Sequence, residues 1–237
     1  MKKFGIIGKP LGHSYSERYF SDMFLREGID ASYHPYTIDA IDEVLPLLQD
    51  LDGFNVTYPY KEQILPYLDE LDDTAKSLGA VNVVHRSKGY NTDWIGFRDS
   101  VHPLLKDHHQ CALLLGTGGV SKAIQYALQE LGIRYTLVSR KERKKDVIGY
   151  DEVNEDIMRE HTLIVNCTPL GMHPYEGQKP NIPYQYLTKE HLLYDCIYNP
   201  DQTPFLLMGK EYGCTIKNGL DMLHIQARKA WEIWNTI

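Results

Sequence analysis

The sequence predicts an α/β fold built from two domains. Strand-like apolar runs alternate with amphipathic helical runs almost throughout, and this alternation implies right-handed crossovers and a mostly parallel sheet. A chain of 237 residues is also longer than one core usually needs, and the polar run KDHHQ at 106–110 separates two series of alternating elements. We therefore predict an N-terminal α/β domain over 1–100, a Rossmann-like domain over 101–216, and a C-terminal helix over 217–237 that joins the first domain.

The individual elements are predicted from the spacing of apolar residues and from the residues at which helices and strands usually begin and end. In the first helix, Ser16 is a candidate N-cap and Gly28 a candidate stop. The closing helix has apolar residues at the spacing of one face, and Gly219, Met222 and Gln226 lie on a neighbouring line. Predicted strands are 4–8, 31–38, a short strand that begins at Gly53 and stops at Pro59, two short strands within 80–93, 111–116, 133–139, 162–167 and 192–198. Predicted helices are 16–28, 40–50, 61–71, 94–107, 121–132, about 151–160, 204–213 and the closing segment.

Composition excludes several classes of protein. The net charge is −7 with both signs mixed along the chain, which argues against nucleic acid or an anionic membrane as a main partner. No apolar run approaches the roughly 20 residues of a membrane helix, and the N-terminus does not resemble a signal peptide. The four cysteines form no C-x-x-C pair, so we expect a reduced, cytoplasmic protein. No cluster of His, Cys and carboxylates has metal-ligand spacing, so no metal is expected.

The stretch LLLGTGGVSKA predicts a nucleotide-binding loop. It follows a strand and opens a helix, where glycines allow close backbone approach to a phosphate and the helix N-terminus offers N–H groups. Ser121 stands where the third glycine of the usual motif would be. The loop residues are Gly116, Thr117, Gly118, Gly119 and Val120. A turn that only joins strand to helix is the structural alternative.

The end of the next strand predicts which dinucleotide binds. A carboxylate there would hold the ribose hydroxyls of NAD, but this chain has SRKERKK, which begins with Ser139, Arg140 and Lys141. A positive cluster suits the 2′-phosphate of NADP, whereas a solvated basic turn is the alternative interpretation.

Three segments supply polar side chains beyond structural need. GKPLGHSYS offers Ser14 and Ser16, and FNVTYPYK offers Asn55, Thr57 and Lys61. GAVNVVHRSKGYNTDWIGF offers Asn82, Asn91, Thr92 and Asp93. Hydroxyls and amides can hold a polyhydroxylated ligand. A lysine that passes a proton to oxygen, with a carboxylate that orients it, can serve as an acid–base pair.

Taken in order, these motifs resemble those of the shikimate dehydrogenase family over nearly the whole chain. The matching segments are GHSYS, NVTYPYK, AKSLGAVNVV, GYNTDWIGF, GTGGVSKA, NCTPLGM, DCIYNPDQTPFL and NGLDMLHIQA. The resemblance implies reversible reduction of 3-dehydroshikimate to shikimate by NADPH.

The resemblance also implies the roles of individual residues. The catalytic residues would be Lys61 and Asp93. The substrate-binding residues would be Ser14, Ser16, Thr57, Asn82, Tyr198 and Gln226. The cofactor-binding residues would be the glycine loop, Ser139, Arg140, Lys141, Thr168, Cys196, Gly219 and Met222.

Three departures leave alternatives open. Glu17 replaces a proline of the family pattern, Val83 replaces a threonine, and SRKERK replaces an N-R-T run while keeping the arginine. The alternatives are a sibling enzyme that prefers quinate or NAD, a non-catalytic relative that keeps the fold, and another nucleotide-binding enzyme such as a methyltransferase. A monomer or a homodimer is expected.

Overall fold

The computed structural model describes residues 1–9, 11, 15–140 and 147–236. The chain forms two compact units, Met1–Thr92 with Ala227–Ile237, and Asp93–Gln226. These divisions lie near the predicted borders at 100 and 217 without coinciding with them. Which unit holds which ligand stays a prediction.

The first unit is built on a mixed sheet whose order, among the described residues, is β2-β1-β3-β5-β6-β4. Its strands are β1 (Lys2–Gly8), β2 (Ala31–Thr37), β3 (Gly53–Val56), β4 (Glu70–Leu71), β5 (Val83–His85) and β6 (Lys88–Tyr90). Its helices are α1 (Tyr15–Glu27), α2 (Val44–Asp50) and α3 (Asp73–Leu78). Strand β1 pairs in parallel with β2 and β3, whereas β5 is antiparallel to β3 and β6. The carboxyl ends of β1 and β3 therefore meet at one edge of this sheet.

The second unit has a parallel sheet whose order, in the part of the chain that the structure describes, is β12-β11-β10-β7-β8-β9. Its strands are β7 (Cys111–Leu115), β8 (Arg134–Val138), β9 (Val147–Ile148), β10 (Leu163–Asn166), β11 (Leu192–Asp195) and β12 (Thr215–Lys217). Its helices are α4 (Asp93–Val101), α5 (Gly119–Glu130), α6 (Glu155–Glu160) and α7 (Pro204–Glu211). Counted within the unit, this is the doubly wound order 3-2-1-4-5-6, and the strand order reverses between the adjacent strands β7 and β10. The prediction of an α/β fold with a Rossmann-like domain is confirmed.

Helix α8 (Leu220–Trp234) begins in the second unit and ends in the first. In the first unit Trp234 stacks on Phe4 with ring centroids 4.8 Å apart, and its indole Nε1 donates to the Val84 carbonyl at 3.0 Å. The apolar stripe predicted along this helix therefore ends in the core of the first unit.

Two predictions about local structure are wrong. Residues 61–71 form turns, a 3-10 segment Leu65–Tyr67 and strand β4 instead of a helix. Pro66 lacks an N–H and restricts the residue before it, which disfavours a continuous helix there. Ser16 is not an N-cap, because α1 begins at Tyr15 and Ser16 is buried as its second residue.

Candidate active site

The glycine loop lies where a doubly wound sheet binds nucleotides. It connects β7 to α5 at the reversal point of the strand order, beside the end of β10. Gly116 has φ +105, and an added Cβ there would meet Thr168 Cγ2 at 2.9 Å, so glycine suits both the backbone and the contact. Gly118 and Gly119 are exposed at the start of α5, and a Cβ at either would meet nothing within 4 Å. The open N-terminus of α5 can therefore receive a phosphate.

Neighbouring segments hold the loop in place, although the third glycine of the usual motif is absent. The Gly116 N–H donates to the Val138 carbonyl at 2.9 Å, which fixes the loop to the end of β8. Ser121 is fully buried and accepts a hydrogen bond from Gln125 Nε2 at 3.3 Å. A small side chain at this position permits the close approach of helix to sheet that the missing glycine would otherwise allow.

An exposed arginine follows the end of β8. Ser139 is buried, its N–H donates to the Ile148 carbonyl at 2.9 Å, and Arg140 is exposed directly after it. Lys141 lies outside the described residues. The second strand of a doubly wound unit ends beside the adenosine ribose, so Arg140 is in the right part of the fold to meet a 2′-phosphate.

A network of buried polar groups organises the ends of β10 and β11. Asn166 Nδ2 donates to Asp195 Oδ1 at 3.1 Å, and Thr203 Oγ1 donates to Asp195 Oδ2 at 2.5 Å. The Asn166 side chain also accepts from the Thr168 backbone and hydroxyl at 3.0 and 2.7 Å. The network thus holds the predicted cofactor residue Thr168 beside Gly116. Sequence reasoning missed Asp195, because its partners are separated from it along the chain.

Burial of Asp195 should make stability depend on pH. Desolvation raises the pKa of this carboxyl to about 6, although hydrogen bonds from Thr203, Ile197 and Asn166 favour the charged form. A raised folded-state pKa gives stability that is complete below the unfolded pKa of about 3.9 and is lost as pH rises through about 6. We expect Asp195→Asn to gain about 2–3 kcal/mol relative to wild type between pH 4 and pH 7. Chemical denaturation across that range measures this difference.

The matched control is the exposed Asp107→Asn in the same unit. If the difference in stability between Asp195→Asn and wild type is the same at every pH from 4 to 7, it reflects altered hydrogen bonding alone. That result would contradict a buried carboxylate that titrates in this range.

Cys196, Gly219 and Asp93 are neighbours within the second unit. A Cβ added at Gly219 would lie 2.3 Å from the Cys196 carbonyl oxygen, so only glycine fits against this strand end. The pKa of Cys196 is raised mainly by a hydrogen bond with Cys167 and by burial, with a smaller contribution from the charge of Asp93. Asp93 begins α4 and is 7% exposed. The predicted catalytic carboxylate therefore lies near predicted cofactor residues.

Helices α4 and α8 approach closely beside this cluster. A Cβ on Gly96 would lie 2.6 Å from the Met222 carbonyl oxygen and 3.2 Å from Gln226 Cβ. Met222 and Gln226 are 6% and 9% exposed, and Gln226 Nε2 donates to the Leu223 carbonyl at 3.0 Å. Tyr198, just beyond β11, is 37% exposed.

In the first unit, Thr57 and Lys61 follow the carboxyl end of β3. The Thr57 N–H donates to the Ile7 carbonyl at 2.9 Å, and a Cβ on Gly8 would meet Thr57 Cγ2 at 2.4 Å. The Lys61 carbonyl accepts from the Val81 N–H at 2.8 Å. This bond holds the lysine segment against the residue that precedes Asn82 in the chain.

Asn82 belongs to a buried network. Its Nδ2 donates to Thr92 Oγ1 at 3.0 Å, its Oδ1 accepts from the Thr92 N–H at 2.7 Å, and its carbonyl accepts from Asn55 Nδ2 at 3.2 Å. Asn55 Oδ1 in turn accepts from the Tyr33 hydroxyl at 2.8 Å, and Ser16 hydrogen bonds to that hydroxyl. Burial raises the pKa of Tyr33 well above its usual value, which keeps the hydroxyl protonated as a donor. Tyr33 is a residue that sequence reasoning did not select.

The structure thus gathers the predicted residues into two sets. Thr57, Lys61, Asn82 and Ser16 lie within the first unit, and Asp93 with the predicted cofactor residues lies within the second. Ser14, like Lys141, is outside the described residues. Among the residues that are described, no group of three His, Cys, Asp or Glu could hold a metal ion, and no helix is long and apolar enough to cross a membrane.

The strand order and the glycine loop at its reversal point define an α/β enzyme of the dinucleotide-binding class. Shikimate dehydrogenase (NADP(+)) of Carboxydothermus hydrogenoformans is 37% identical to this chain, over 98% of the chain and 91% of the relative. The chain therefore belongs to the shikimate dehydrogenase family, as the resemblance of its motifs predicted.

Other comparisons agree with this membership. A family model described as the shikimate dehydrogenase substrate binding domain matches residues 6–84. Shikimate 5-dehydrogenase from Thermus thermophilus, solved in complex with NADP(H) and shikimate, is 27% identical with a TM-score of 0.89, over 100% of this chain and 94% of that one. The enzyme from Listeria monocytogenes, solved with shikimate and NAD, is 28% identical with a TM-score of 0.88, over 98% and 91%.

Proposed function

We propose that this protein catalyses the reversible reduction of 3-dehydroshikimate to shikimate with NADPH, a step of aromatic amino-acid biosynthesis. The observation that carries the proposal is the near full-length match to an NADP(+)-dependent shikimate dehydrogenase, in a chain that retains both Lys61 and Asp93. NADPH, when bound, supplies the hydride that reduces the ring carbonyl carbon. Gly116–Val120 and Arg140 would hold it, because open N–H groups at the start of α5 and an exposed guanidinium suit its phosphates.

The residues of the chain supply the proton and the orientation. In this proposal the Lys61 ammonium donates a proton to the carbonyl oxygen as negative charge develops there, and Asp93 orients the lysine and the product hydroxyl. Thr57 and Asn82 hold substrate hydroxyls from the carboxyl edge of the first unit's sheet, and Ser14 and Ser16 bind the carboxylate. Tyr198 and Gln226 also bind the substrate, and the cofactor is lined by Ser139, Lys141, Thr168, Cys196, Gly219 and Met222.

A single assay tests the proposal. NADPH absorbance should fall when 3-dehydroshikimate is added to the enzyme, and the rate should be much lower with NADH. Oxidation of shikimate and of quinate with NADP⁺ then establishes which alcohol is preferred. If NADPH binds but no substrate is turned over, the protein is a non-catalytic relative and the proposal fails.

Arg140 should determine cofactor preference. We expect Arg140→Gln to raise the KM for NADPH by about 10- to 100-fold, because a charge-assisted hydrogen bond is worth about 1.5–3 kcal/mol. The KM for NADH should stay nearly constant, because NADH lacks the 2′-phosphate. Steady-state kinetics with both cofactors measures this ratio.

The control for this substitution is Arg134→Gln, which removes an exposed arginine at the other end of β8. An equal loss with NADPH and NADH in Arg140→Gln would show that the arginine does not recognise the 2′-phosphate.

We also infer a cytoplasmic monomer or homodimer that needs no nucleic acid or membrane partner. The four cysteines are free thiols, which supports a reducing compartment. Light scattering across a range of protein concentrations decides between the two oligomeric states.

A further inference from the structure

Tyr33 carries a buried hydroxyl to which the proposed reaction gives no role. The residue lies in β2, is 2% exposed, and its ring stacks on Phe20 of α1 with ring centroids 4.6 Å apart. A phenylalanine would fill the same position in the core, so packing alone does not require the hydroxyl. Because close packing leaves a buried ring little freedom, the core of the first unit sets the position of this hydroxyl.

The proton of the Tyr33 hydroxyl is committed to Asn55. Asn55 Nδ2 donates to the Asn82 carbonyl at 3.2 Å, which directs the amide oxygen Oδ1 towards Tyr33. An amide oxygen only accepts, so the Tyr33 hydroxyl, 2.8 Å away, is the donor. A hydroxyl has a single proton, so Ser16 is the donor in the hydrogen bond that it makes with Tyr33. Successive hydrogen bonds therefore run in one direction, from Ser16 through Tyr33 and Asn55 to the Asn82 carbonyl.

Asn55 fixes the Asn82 backbone to the end of β3. It is a buried residue of that strand, two positions before Thr57. The Asn82 carbonyl accepts from Asn55 Nδ2 and also from the Val56 N–H at 2.9 Å. A carbonyl oxygen has two lone pairs, and these two hydrogen bonds use both. The Asn82 backbone is therefore held beside the strand that leads to Thr57, which the proposed function assigns to the same substrate.

Asn55 depends on Tyr33 for its own hydrogen bonding. Among the described residues, the Tyr33 hydroxyl is the donor to Asn55 Oδ1, and Asn55 is 5% exposed. A buried acceptor that loses its donor is costly. Without the hydroxyl, the Asn55 amide gains by turning towards another donor, and that movement weakens its hydrogen bond to the Asn82 carbonyl.

We propose that Tyr33 is a positioning residue of the substrate site, which acts through Asn55 on Asn82 without touching the substrate. This role rests on the proposed function, in which Asn82 holds a substrate hydroxyl. A site that is ordered before the substrate arrives spends less binding energy on ordering. Loss of the Tyr33 hydroxyl should therefore weaken substrate binding and leave the proton donor and the nucleotide loop unaffected.

Steady-state kinetics of Tyr33→Phe tests this role. The KM for 3-dehydroshikimate should rise about 3- to 10-fold, which corresponds to about 0.7–1.4 kcal/mol. The kcat should stay within about twofold of wild type, because an interaction made equally with substrate and transition state affects KM alone. The KM for NADPH should be unchanged, because the network does not include the cofactor residues.

The matched control is Tyr184→Phe, which also removes one buried tyrosine hydroxyl. Tyr184 lies in the second unit, is 7% exposed, and donates to the Pro180 carbonyl at 2.8 Å. Both substitutions should lower stability, but only Tyr33→Phe should raise the KM for the substrate. Chemical denaturation of each variant separates a loss of stability from a loss of substrate affinity.

A double-mutant cycle tests whether Tyr33 acts through Asn55. Asn55→Ala alone should raise the KM for 3-dehydroshikimate at least as much as Tyr33→Phe, because it removes the hydrogen bond to the Asn82 carbonyl itself. In the Asn55→Ala background, Tyr33→Phe should raise this KM by less than about twofold, since residues in one network are not additive. An equal effect of Tyr33→Phe in both backgrounds would overturn the proposal.

Failure of the positioning role and failure of the proposed activity give different results. A wild-type KM in Tyr33→Phe, in an enzyme that reduces 3-dehydroshikimate, would overturn the positioning role alone. An equal rise in the KM for NADPH would show a general loss of structure and would also overturn it. Absence of turnover in the wild-type protein would overturn the proposed function, and the positioning role with it.

Discussion

Replacing Lys61 by alanine should lower kcat for 3-dehydroshikimate reduction by about 10²- to 10⁴-fold, the usual contribution of a positioned general acid. The proposed ammonium proton would be lost, so charge would develop on the substrate oxygen without a donor. The fold should be retained, because the backbone carbonyl of residue 61, which accepts from the Val81 N–H, is unchanged by the substitution. Stopped-flow or steady-state NADPH oxidation measures the effect.

The matched control is Lys76→Ala, an exposed lysine in α3 of the same unit, which should keep wild-type kcat. Asp93→Asn should also lower kcat while leaving NADPH binding intact. Normal turnover by Lys61→Ala would remove the lysine from its catalytic role and would leave the family assignment unaffected.

Replacing Trp234 by alanine should destabilise the first unit by about 3–5 kcal/mol, as for other fully buried large aromatic residues. The side chain is 2% exposed, stacks on Phe4, and lies so close to the Gly53 backbone that a Cβ there would meet the indole ring at 2.4 Å. Its removal leaves a cavity and takes away the indole hydrogen bond to the Val84 carbonyl. Native-state hydrogen exchange measures the loss locally, which matters because a two-unit chain need not unfold in one step.

Amides of β1, β3 and β5 should lose protection in Trp234→Ala, whereas those of β7 and β10 should lose much less. Trp234→Phe separates packing from hydrogen bonding, since it keeps an aromatic ring and loses the indole donor, at a cost of about 1 kcal/mol for the hydrogen bond. Trp94→Ala, at a half-buried tryptophan of the second unit, is the control for aromatic truncation. Uniform loss of protection in both units would contradict a local role for Trp234.

Much of the fold was predictable because its signals are local. Strand β7 is a continuous apolar run, and β10 and β11 are apolar up to their last residues, Asn166 and Asp195. The glycine loop after β7 has a composition typical of nucleotide-binding loops. Strands β4 and β9 have two residues each, which is too short for any periodic pattern. Their existence depends on pairing with β6 and β8, and such pairing is decided by distant parts of the chain.

The residues of the candidate site also divide into those that local motifs predicted and those that only the fold brings together. Lys61, Asp93 and the glycine loop were selected from motifs, whereas Tyr33 and Asp195 were not, because each matters through partners far away in sequence. Tyr33 meets Asn55 only after β2 and β3 have both paired with β1. Asp195 acquires a raised pKa only after burial.

The sequence by itself determined the α/β class, the nucleotide loop and the family of this protein, because these depend on residue type and spacing along the chain. Only the tertiary structure decided the strand order of both sheets, the network around Asp195 and the hydrogen bonds of the Tyr33 hydroxyl. Desolvation and hydrogen-bond satisfaction depend on what surrounds an atom in space, and residues that surround one another here are separated by tens of positions in the chain.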